Sequence, residues 1–315
     1  MKKRKKSSAL LFITVISILV LVGCSKNNNS TANLDNPVSD TKETRIVSTV
    51  KGDVEVPINP DRILPTPYRH GDLIALGVMP VAIGETYEGA AFEDIVKDIP
   101  VISTWEIEEI MKLEPDLIFT SDEEKYDKLS KIAPTIFIPF DMEGIDRIQL
   151  MAKALGVEHK ADKFIEELNN KIEISKENLE KAGLYENTFS IYEGWEGSTM
   201  MIVGNKWGRG GNLIYDFLQL PPNELVKKDI LEGEEPYSIL SLEAINQYAG
   251  DYIFLSSGWE SDIDFSSNPV WNSIPAVQKN HIIPIDAHFF YYDDMYSVMA
   301  QIDYLVNSLI DIAQQ

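Results

Sequence analysis

The sequence has few of the residues that bind a bare metal ion or form disulfides. Its 315 residues include one cysteine, Cys24, and four histidines, His70, His159, His281 and His288. A single cysteine excludes an intrachain disulfide and a cysteine-rich metal site. The histidines are not spaced as a metal-binding pair, and no His-Glu-x-x-His motif occurs. A site for bare Zn²⁺ or Mn²⁺ is therefore disfavoured, although it stays an alternative.

Basic residues are also scarce, with 28 Lys and Arg against 50 Asp and Glu and a net charge of −22. So acidic a chain is a poor candidate for binding nucleic acid. Its negative surface charge either keeps the protein soluble or attracts a basic protein partner. No Gly-x-Ser-x-Gly nucleophile motif occurs. The sequence therefore does not argue for an enzyme, and a surface enzyme acting on iron chelates is kept only as an alternative.

The N-terminus has the pattern of a secretory signal. Five basic residues at positions 2–6 precede the apolar run Ala9–Val22 and then Leu21-Val22-Gly23-Cys24. The last four residues resemble the lipobox of bacterial lipoproteins, which implies cleavage before Cys24 and a lipid on its sulfur. Loss of residues 1–23, with five basic and no acidic side chains, would change the net charge from −22 to −27. Residues 24–43 are polar and are predicted to be a flexible tether.

A long amphipathic segment near the middle of the chain predicts two lobes. Within Lys160–Gly183, helically spaced apolar residues mark one face, and Gly156 and Gly183 stand where two successive helices should end. Strands alternate with helices on both sides of this segment. The predicted fold is therefore α/β, with two α/β lobes, 44–158 and 184–315, joined by a single long helix at 159–183. A long surface helix of one domain is the alternative.

An internal repeat supports the two lobes. Ile107–Phe119 and Leu242–Phe254 align at a constant offset of 135 residues, and each reads as a helix, a turn and a strand. The alignment places Glu108 on Glu243. Such a pair of glutamates, one on each lobe, could form a docking face for a basic partner.

The alternation of strands and helices predicts mostly parallel sheets, whose ligands bind at loops after the strands. An edge hairpin is predicted at Thr44–Val50 and Val54–Val56. Further strands are predicted at Arg62–Leu64, Val81–Ile83, Ile99–Ile102, Leu117–Phe119, Ile136–Ile138, Phe189–Tyr192, Met200–Val203, Tyr252–Leu255 and His281–Ile285.

Two loops in the C-terminal half are candidates for ligand binding. In Gly204–Gly211 the run Gly208-Arg209-Gly210-Gly211 fails the dinucleotide fingerprint, because position 213 is leucine. It still offers an arginine and backbone N–H groups for an anion or oxygen, or it is a flexible turn. The loop His288–Tyr292 is unusually aromatic, so its rings either pack on the sheet or line a pocket.

These features together resemble a family of ABC-importer binding lipoproteins that carry ferric siderophores, haem or cobalamin and have a helical-backbone periplasmic-binding-protein fold. The Trp207–Gly211 stretch resembles that of hydroxamate siderophore-binding lipoproteins of Gram-positive bacteria, which implies ligand contacts from Trp207 and Arg209. Phe290–Asp294 resembles the Tyr-Tyr-Asp-Pro-type loop of that group, although Asp294 or Met295 stands where proline is usual.

The resemblance implies a monomeric binding protein, not an enzyme, held by its lipid on the outer face of the cytoplasmic membrane. It would deliver a ferric hydroxamate to an ABC permease dimer, with Glu108 and Glu243 facing permease arginines. No cofactor or protein metal ligand is expected, because the siderophore already ligates the iron. Ferric catecholate, ferric citrate, haem and cobalamin remain alternative ligands. Because a single helix connects the lobes, we also expect limited hinge motion when the ligand binds. The expected ligand-binding residues are Trp207, Arg209, Tyr291, Tyr292 and His288, with Tyr68, Arg69, Tyr87 and Trp105 chosen from the N-terminal lobe by topology.

Overall fold

A computed structural model of the protein describes residues 43–195, 199–259 and 264–315. The predicted signal sequence, Cys24 and all but the last residue of the predicted tether lie outside these ranges. Within them, no helix is both long enough and apolar enough to cross a lipid bilayer.

The N-terminal lobe begins with the predicted hairpin, formed by antiparallel β1 (Thr44–Thr49) and β2 (Gly52–Pro57). Its described residues then form a parallel sheet from β3 (Ile63–Leu64), β4 (Leu117–Thr120) and β5 (Thr135–Phe137), in that order. Every residue of these strands is buried, as expected for parallel strands covered on both faces. The helices of this lobe are α1 (Gly71–Ala75), α2 (Glu93–Val96), α3 (Ile107–Lys112), α4 (Glu123–Leu129) and α5 (Gly144–Leu155).

The long helix α6 (Glu158–Lys181) connects the two lobes. Its 24 residues span about 36 Å. Gly156 and Gly183 follow α5 and α6 in the left-handed conformation, with φ of 73° and 72°, because a residue without Cβ adopts this conformation at little cost. The amphipathic pattern is confirmed, since the buried positions of α6 are Ala161, Leu168, Ile172, Ser175 and Leu179.

The described part of the C-terminal lobe contains a five-stranded sheet in the order β10-β9-β6-β7-β8. The strands are β6 (Phe189–Gly194), β7 (Thr199–Val203), β8 (Tyr237–Ser241), β9 (Tyr252–Ser257) and β10 (Ile282–Asp286). Its α-helices are α7 (Glu224–Val226), α8 (Leu242–Tyr248), α9 (Pro275–Gln278) and α10 (Met295–Ala313). Short 3₁₀ turns occupy Leu184–Glu186 and Trp271–Ser273, and π-helical turns occupy Asn212–Phe217 and Lys227–Leu231.

Two predictions about strands are wrong. The segments Val81–Ile83 and Ile99–Ile102 do not form strands and meet only in a parallel bridge between Ile83 and Val101. Pro80 and Pro100 explain this, because proline has no N–H to donate to a sheet ladder. The C-terminal sheet is mixed, since β7 is antiparallel to both β6 and β8, and β8 was not predicted.

The internal repeat is a structural repeat. The pairs α3–β4 and α8–β9 are each a helix, a turn and a strand. In the first copy, Asp116 accepts hydrogen bonds from the backbone N–H groups of Asp61 and Arg62, just before β3. In the second, Asp251 accepts from the N–H and hydroxyl of Thr188, just before β6. In each lobe the repeated aspartate therefore holds the start of the strand that pairs in parallel with its own.

The two lobes meet in a buried network of charges around Arg147 in α5. Arg147 is 2% exposed, and its Nε donates to Asp72 Oδ2 at 2.6 Å. Its Nη2 donates to the backbone oxygen of Asp293 at 3.0 Å, and Asp72 accepts the N–H of Met295 at 2.8 Å. Helices α1 and α5 of one lobe thus bind the first turn of α10 in the other. Because an unpaired buried ion is costly, each partner of this network depends on the rest.

Asp294 lies against this network and is fully buried. It caps α10 by accepting the N–H and the hydroxyl of Ser297, both at 2.9 Å. Burial, and after it repulsion from Asp72, raises the pKa of Asp294 to about 7. Gly71 gives this carboxyl its room, because a Cβ at position 71 would lie 1.9 Å from Asp294 Oδ1. Asp294 is therefore a buried cap of α10.

We expect Asp294→Asn to change how folding stability depends on pH. An unfolded aspartate has a pKa of about 3.9, and the native pKa of Asp294 is raised to about 7. The contribution of the native proton is fully present below about pH 4 and is lost as the pH rises through about 7. Asparagine can still cap the helix but does not titrate.

Urea unfolding at about pH 5 and about pH 8 measures this effect. Between the two, the native protein should lose about 2 kcal/mol more of its free energy of unfolding than the variant. An identical loss in both proteins would show that Asp294 does not titrate in this way.

Candidate ligand-binding cleft

A cavity of about 430 Å³ lies between the two lobes, within the range typical of small-molecule sites. Its walls come from loops of both lobes. The lining residues are Thr66, Pro67, Tyr68, Arg69, Ser121, Asp122 and Phe140 from the N-terminal lobe, and Lys206, Trp207, Gly208, Arg209, Tyr291, Tyr292 and Asp293 from the C-terminal lobe.

The N-terminal wall is built by the loops that leave the carboxyl ends of parallel strands. Thr66 follows β3, Ser121 follows β4 and Phe140 follows β5, the edge at which open α/β sheets bind ligands. Phe140 is 54% exposed and packs over the guanidinium of Arg69, whose Cζ is 5.2 Å from the ring centroid. The apolar ring is therefore available to a ligand while it covers a buried charge.

Three polar atoms on this wall are buried and have no hydrogen-bond partner among the described residues: Thr66 Oγ1, Arg69 Nη1 and Ser121 Oγ. The other terminal nitrogen of Arg69, Nη2, donates to the Phe140 oxygen at 3.0 Å and to Asp293 at 3.3 Å. Leaving a buried polar group unsatisfied costs about 1–3 kcal/mol. A ligand that presents oxygen atoms here would relieve that cost.

The C-terminal wall contains a second buried arginine, Arg209, which is bound to Glu193 of β6. Its Nε and Nη2 donate to the two carboxylate oxygens at 2.9 and 2.7 Å, and Ser256 Oγ donates to the same carboxylate at 2.6 Å. Burial alone would raise the pKa of Glu193, but the hydrogen bonds and charge of Arg209, together with Ser256, hold it below its ordinary value. Glu193 therefore neutralises Arg209 and fixes its orientation at the cavity.

Backbone conformation explains the glycines around Arg209. Gly208, Arg209 and Gly210 all have positive φ, at 67°, 53° and 73°. A Cβ on Gly208 would lie 2.2 Å from the backbone oxygen of Tyr291, so this glycine lets the two C-terminal loops touch. The contact places the Trp207 loop at the cavity even though β7 runs opposite to β6, β9 and β10.

Aromatic rings support the exposed face of Tyr291. The ring of Tyr87 packs edge-on to Tyr291 at 4.7 Å and stacks on His288 at 5.3 Å. Tyr68, from the opposite lobe, meets Tyr291 at 5.9 Å. Burial raises the pKa of Tyr291 to about 12, so its phenol stays protonated and can donate a hydrogen bond. Trp207 is 36% exposed and rests on Tyr237 at 4.9 Å.

The structure brings together most, but not all, of the residues that the sequence suggested. Trp207, Arg209, Tyr291, Tyr292, Tyr68 and Arg69 line the cavity. Tyr87 and His288 stand behind Tyr291, and Tyr292 is only 1% exposed because its ring packs against Phe92 in the N-terminal lobe. Trp105 does not line this cavity. It is half-buried against Ile110 and other core residues, beside a void of about 40 Å³ that shares Pro67 and Asp122 with the cavity.

Sequence reasoning missed Thr66, Ser121 and Phe140. Each lies within three residues of the end of a strand in the N-terminal sheet, so the rule that ligands bind at these ends could have found them. Among the described residues, no three histidines, cysteines or carboxylates are grouped in a way that could hold a metal ion.

The two repeated glutamates lie outside the cleft. Glu108 and Glu243 are both exposed, each in the first turn of a short helix, α3 or α8. Hydrogen bonds from its own backbone N–H and from Ser241 lower the pKa of Glu243. Both side chains are exposed and therefore accessible to a partner.

Comparison with known proteins connects this cleft to a family. The model of a family described as periplasmic binding protein matches residues 66–288. Over 322 residues, 99% of each chain, the protein is 29% identical to the iron(3+)-hydroxamate-binding protein YxeB of Bacillus subtilis (strain 168).

Solved structures of periplasmic binding proteins also resemble this chain. One from Bacillus subtilis, described as a periplasmic binding protein component of a Fep/Fec-like ferrichrome ABC transporter, is 28% identical, with a TM-score of 0.70 over 83% of this chain and 98% of that chain. The FhuD protein from S. pseudintermedius is 22% identical, with a TM-score of 0.75 over 85% and 98% of the two chains. At that identity the likeness shows the fold alone.

We expect Gly208→Ala to displace the Tyr291 loop and destabilise the protein. Gly183→Ala is a matched control, since Gly183 has a φ of 72° and nothing within 4 Å of its added Cβ. The control should cost about 1 kcal/mol through its backbone conformation, and Gly208→Ala clearly more through the clash. Chemical denaturation of both variants measures the difference, and equal costs would show that the contact between the two loops is not tight.

Proposed function

Since the chain belongs to the periplasmic binding protein family, we propose that it captures a ferric siderophore of the hydroxamate type and delivers it to an ABC importer. Two of the compared proteins support this substrate. YxeB is named as an iron(3+)-hydroxamate-binding protein, and the 28% identical structure is described as part of a ferrichrome transporter. The role is one of binding and delivery rather than catalysis.

The observation that carries the proposal is the combination of apolar and polar surface in the cleft. Trp207, Tyr291 and Phe140 offer apolar faces to the cavity. Opposite the C-terminal rings, Thr66 Oγ1, Arg69 Nη1 and Ser121 Oγ are buried without partners among the described residues. A ferric hydroxamate has an apolar body and oxygen atoms that accept hydrogen bonds, so it matches both kinds of surface.

Charge in the cleft favours a weakly charged ligand. Arg209 is paired with Glu193, and Arg69 is paired with Asp293. Lys206 is the lining cation for which the described residues provide no ion pair, and Asp122 also lines the cavity. A strongly anionic ferric catecholate would need several uncompensated cations. This near-neutral cleft therefore suits a hydroxamate better than a catecholate or a citrate complex.

The protein needs no cofactor or metal ligand of its own for this role. The iron is part of the cargo and is ligated by the siderophore, so the protein has only to recognise the outside of the complex. Bare-metal binding is the weaker candidate, because the described residues offer no group of metal ligands.

The lobes are proposed to keep nearly the same orientation when the ligand binds. Tyr292 of the C-terminal lobe is buried among Phe92 and Val96 of the N-terminal lobe, and the Asp72–Arg147 pair binds the start of α10. Opening the lobes widely would expose this apolar contact and break the buried hydrogen bonds that Asp72 and Arg147 make with the backbone of Met295 and Asp293 in the other lobe. Small adjustments of the loops are therefore favoured over wide closure.

Delivery is proposed to depend on the membrane and on the permease. A lipid on Cys24 would hold the protein on the outer face of the cytoplasmic membrane as a monomer. Glu108 and Glu243, which are exposed on opposite copies of the repeat, would then face arginines of a permease dimer.

We expect ferric hydroxamates to quench the intrinsic tryptophan fluorescence of the lipid-free protein with submicromolar affinity. Trp207→Ala should weaken binding by about tenfold or more, because it removes an aromatic face from the cavity. Trp195→Ala is the control, since Trp195 is 37% exposed against 36% for Trp207 but does not line the cavity. Preference for a ferric catecholate, ferric citrate or haem would overturn the proposed substrate.

An uptake assay in cells tests delivery. The double variant Glu108→Ala and Glu243→Ala should bind the siderophore normally and remain at the membrane. Its uptake of the siderophore should fall by about tenfold or more, since both carboxylates that would face the permease are lost. Cys24→Ala should instead release the protein into the medium. Normal uptake by the double variant would contradict the docking role of the two glutamates.

A further inference from the structure

A second cavity of about 330 Å³ adjoins the first. The two cavities share four lining residues, Arg69, Phe140, Lys206 and Asp293. The wall between them is therefore made by the Arg69–Asp293 ion pair, which joins the lobes, and by Phe140 packed over that guanidinium. A ligand held in the first cavity would therefore have the arm that points toward the second cavity at this wall.

The second cavity is acidic. Asp141 and Glu143 line it from the N-terminal lobe, and Asp216 lines it from the C-terminal lobe. The described residues place none of these three carboxylates in an ion pair within 4.0 Å, although Asn205 donates to Asp216 Oδ1 at 2.8 Å. Carboxylates from two lobes thus line one space. Lys206 lines it as well, and the described residues place its ammonium group in no ion pair within 4.0 Å.

The arginines of this cavity do not offset that charge. Arg147 is bound to Asp72, and Arg69 is bound to Asp293. The cavity is therefore lined by three carboxylates outside ion pairs and by one ammonium group, Lys206, whose charge acts on Asp216. A cationic group placed among them would gain electrostatic energy from both lobes at once.

Arg69 supplies an independent sign that a ligand passes the wall. It is 8% exposed, yet its Nη1 is buried with no hydrogen-bond partner among the described residues. Arg69 lines both cavities, so an arm that runs from one cavity into the other would pass this donor. It could donate to a carbonyl oxygen in an arm that runs from one cavity into the other.

We propose that the second cavity is a specificity subsite for the protonated amine at the end of a hydroxamate siderophore arm, with Glu143 and Asp216 binding the ammonium group from opposite lobes. This inference rests on the proposed function and makes it more specific. It assigns a preference for linear hydroxamates with a terminal primary amine over neutral complexes of the same iron-binding core. A bare divalent cation is not the occupant, because the described residues group no three ligands suitable for a metal ion.

Two probes that share one iron-binding core and differ at the end of one arm, where only one is charged, test the subsite. Ferrioxamine B is a linear ferric trihydroxamate with a terminal primary amine, and its N-acetyl derivative is neutral at that end. We expect the native protein to bind the amine form about fivefold more tightly, in proportion to a partly exposed charge interaction. Raising the salt concentration should reduce this preference.

Variants of the two carboxylates locate the effect. Glu143→Gln combined with Asp216→Asn should abolish the preference by weakening binding of the amine form about fivefold, while affinity for the N-acetyl form stays unchanged. Glutamine and asparagine keep the shape of the side chains, and the asparagine oxygen can still accept from Asn205. Glu166→Gln, at an exposed position on α6, should leave the preference intact.

The outcomes separate the two ideas. Equal affinity of the native protein for both probes, or equal losses for both in the double variant, would overturn the subsite and leave the proposed function standing. Failure of both probes to bind the native protein would overturn the proposed function, and the subsite with it.

Discussion

The structure depends most on the buried ion pair between Asp72 and Arg147. This pair lies where α1 and α5 meet the first turn of α10, so it joins parts of the chain that are more than 200 residues apart. A buried pair of this kind adds little net stability, but loss of one partner is costly because it leaves an uncompensated charge. Its main effect is to define one arrangement of the lobes. The neighbouring cap at Asp294 and the inserted ring of Tyr292 follow from the same junction.

The shape of the cleft depends on that junction between the lobes. Once the lobes are fixed, three loops of the N-terminal lobe and two loops of the C-terminal lobe face one another across a space with fixed walls. Both arginines at the cavity are held by carboxylates, Glu193 and Asp293, so they present oriented donors with little net charge. The aromatic rings are likewise supported from behind, Tyr291 by Tyr87 and Trp207 by Tyr237. Such a preorganised surface loses little entropy when a rigid complex binds.

Much of this could be predicted where the signal is local. The periodic apolar face of α6, the left-handed glycines at its ends and the repeated α3–β4 and α8–β9 units are all properties of short segments. Trp207 and Arg209 could be predicted for the same reason, since they lie in one glycine-rich loop. The prediction of mostly parallel sheets did not include the antiparallel β7, because the direction of β7 depends on pairing with β6 and β8 rather than on its own residues.

The sequence by itself determined the fold class, the connecting helix and the two C-terminal loops that line the cavity, because helix periodicity, turn glycines and aromatic composition act over a few residues. Only the tertiary structure decided which side chains share a cavity. It packs Trp105 against the core outside the cavity lining, brings Thr66, Ser121 and Phe140 together, and pairs Arg209 with Glu193. These outcomes depend on contacts between residues far apart in the chain. Burial and charge pairing at such contacts are set by the packing of the lobes, which no local pattern specifies.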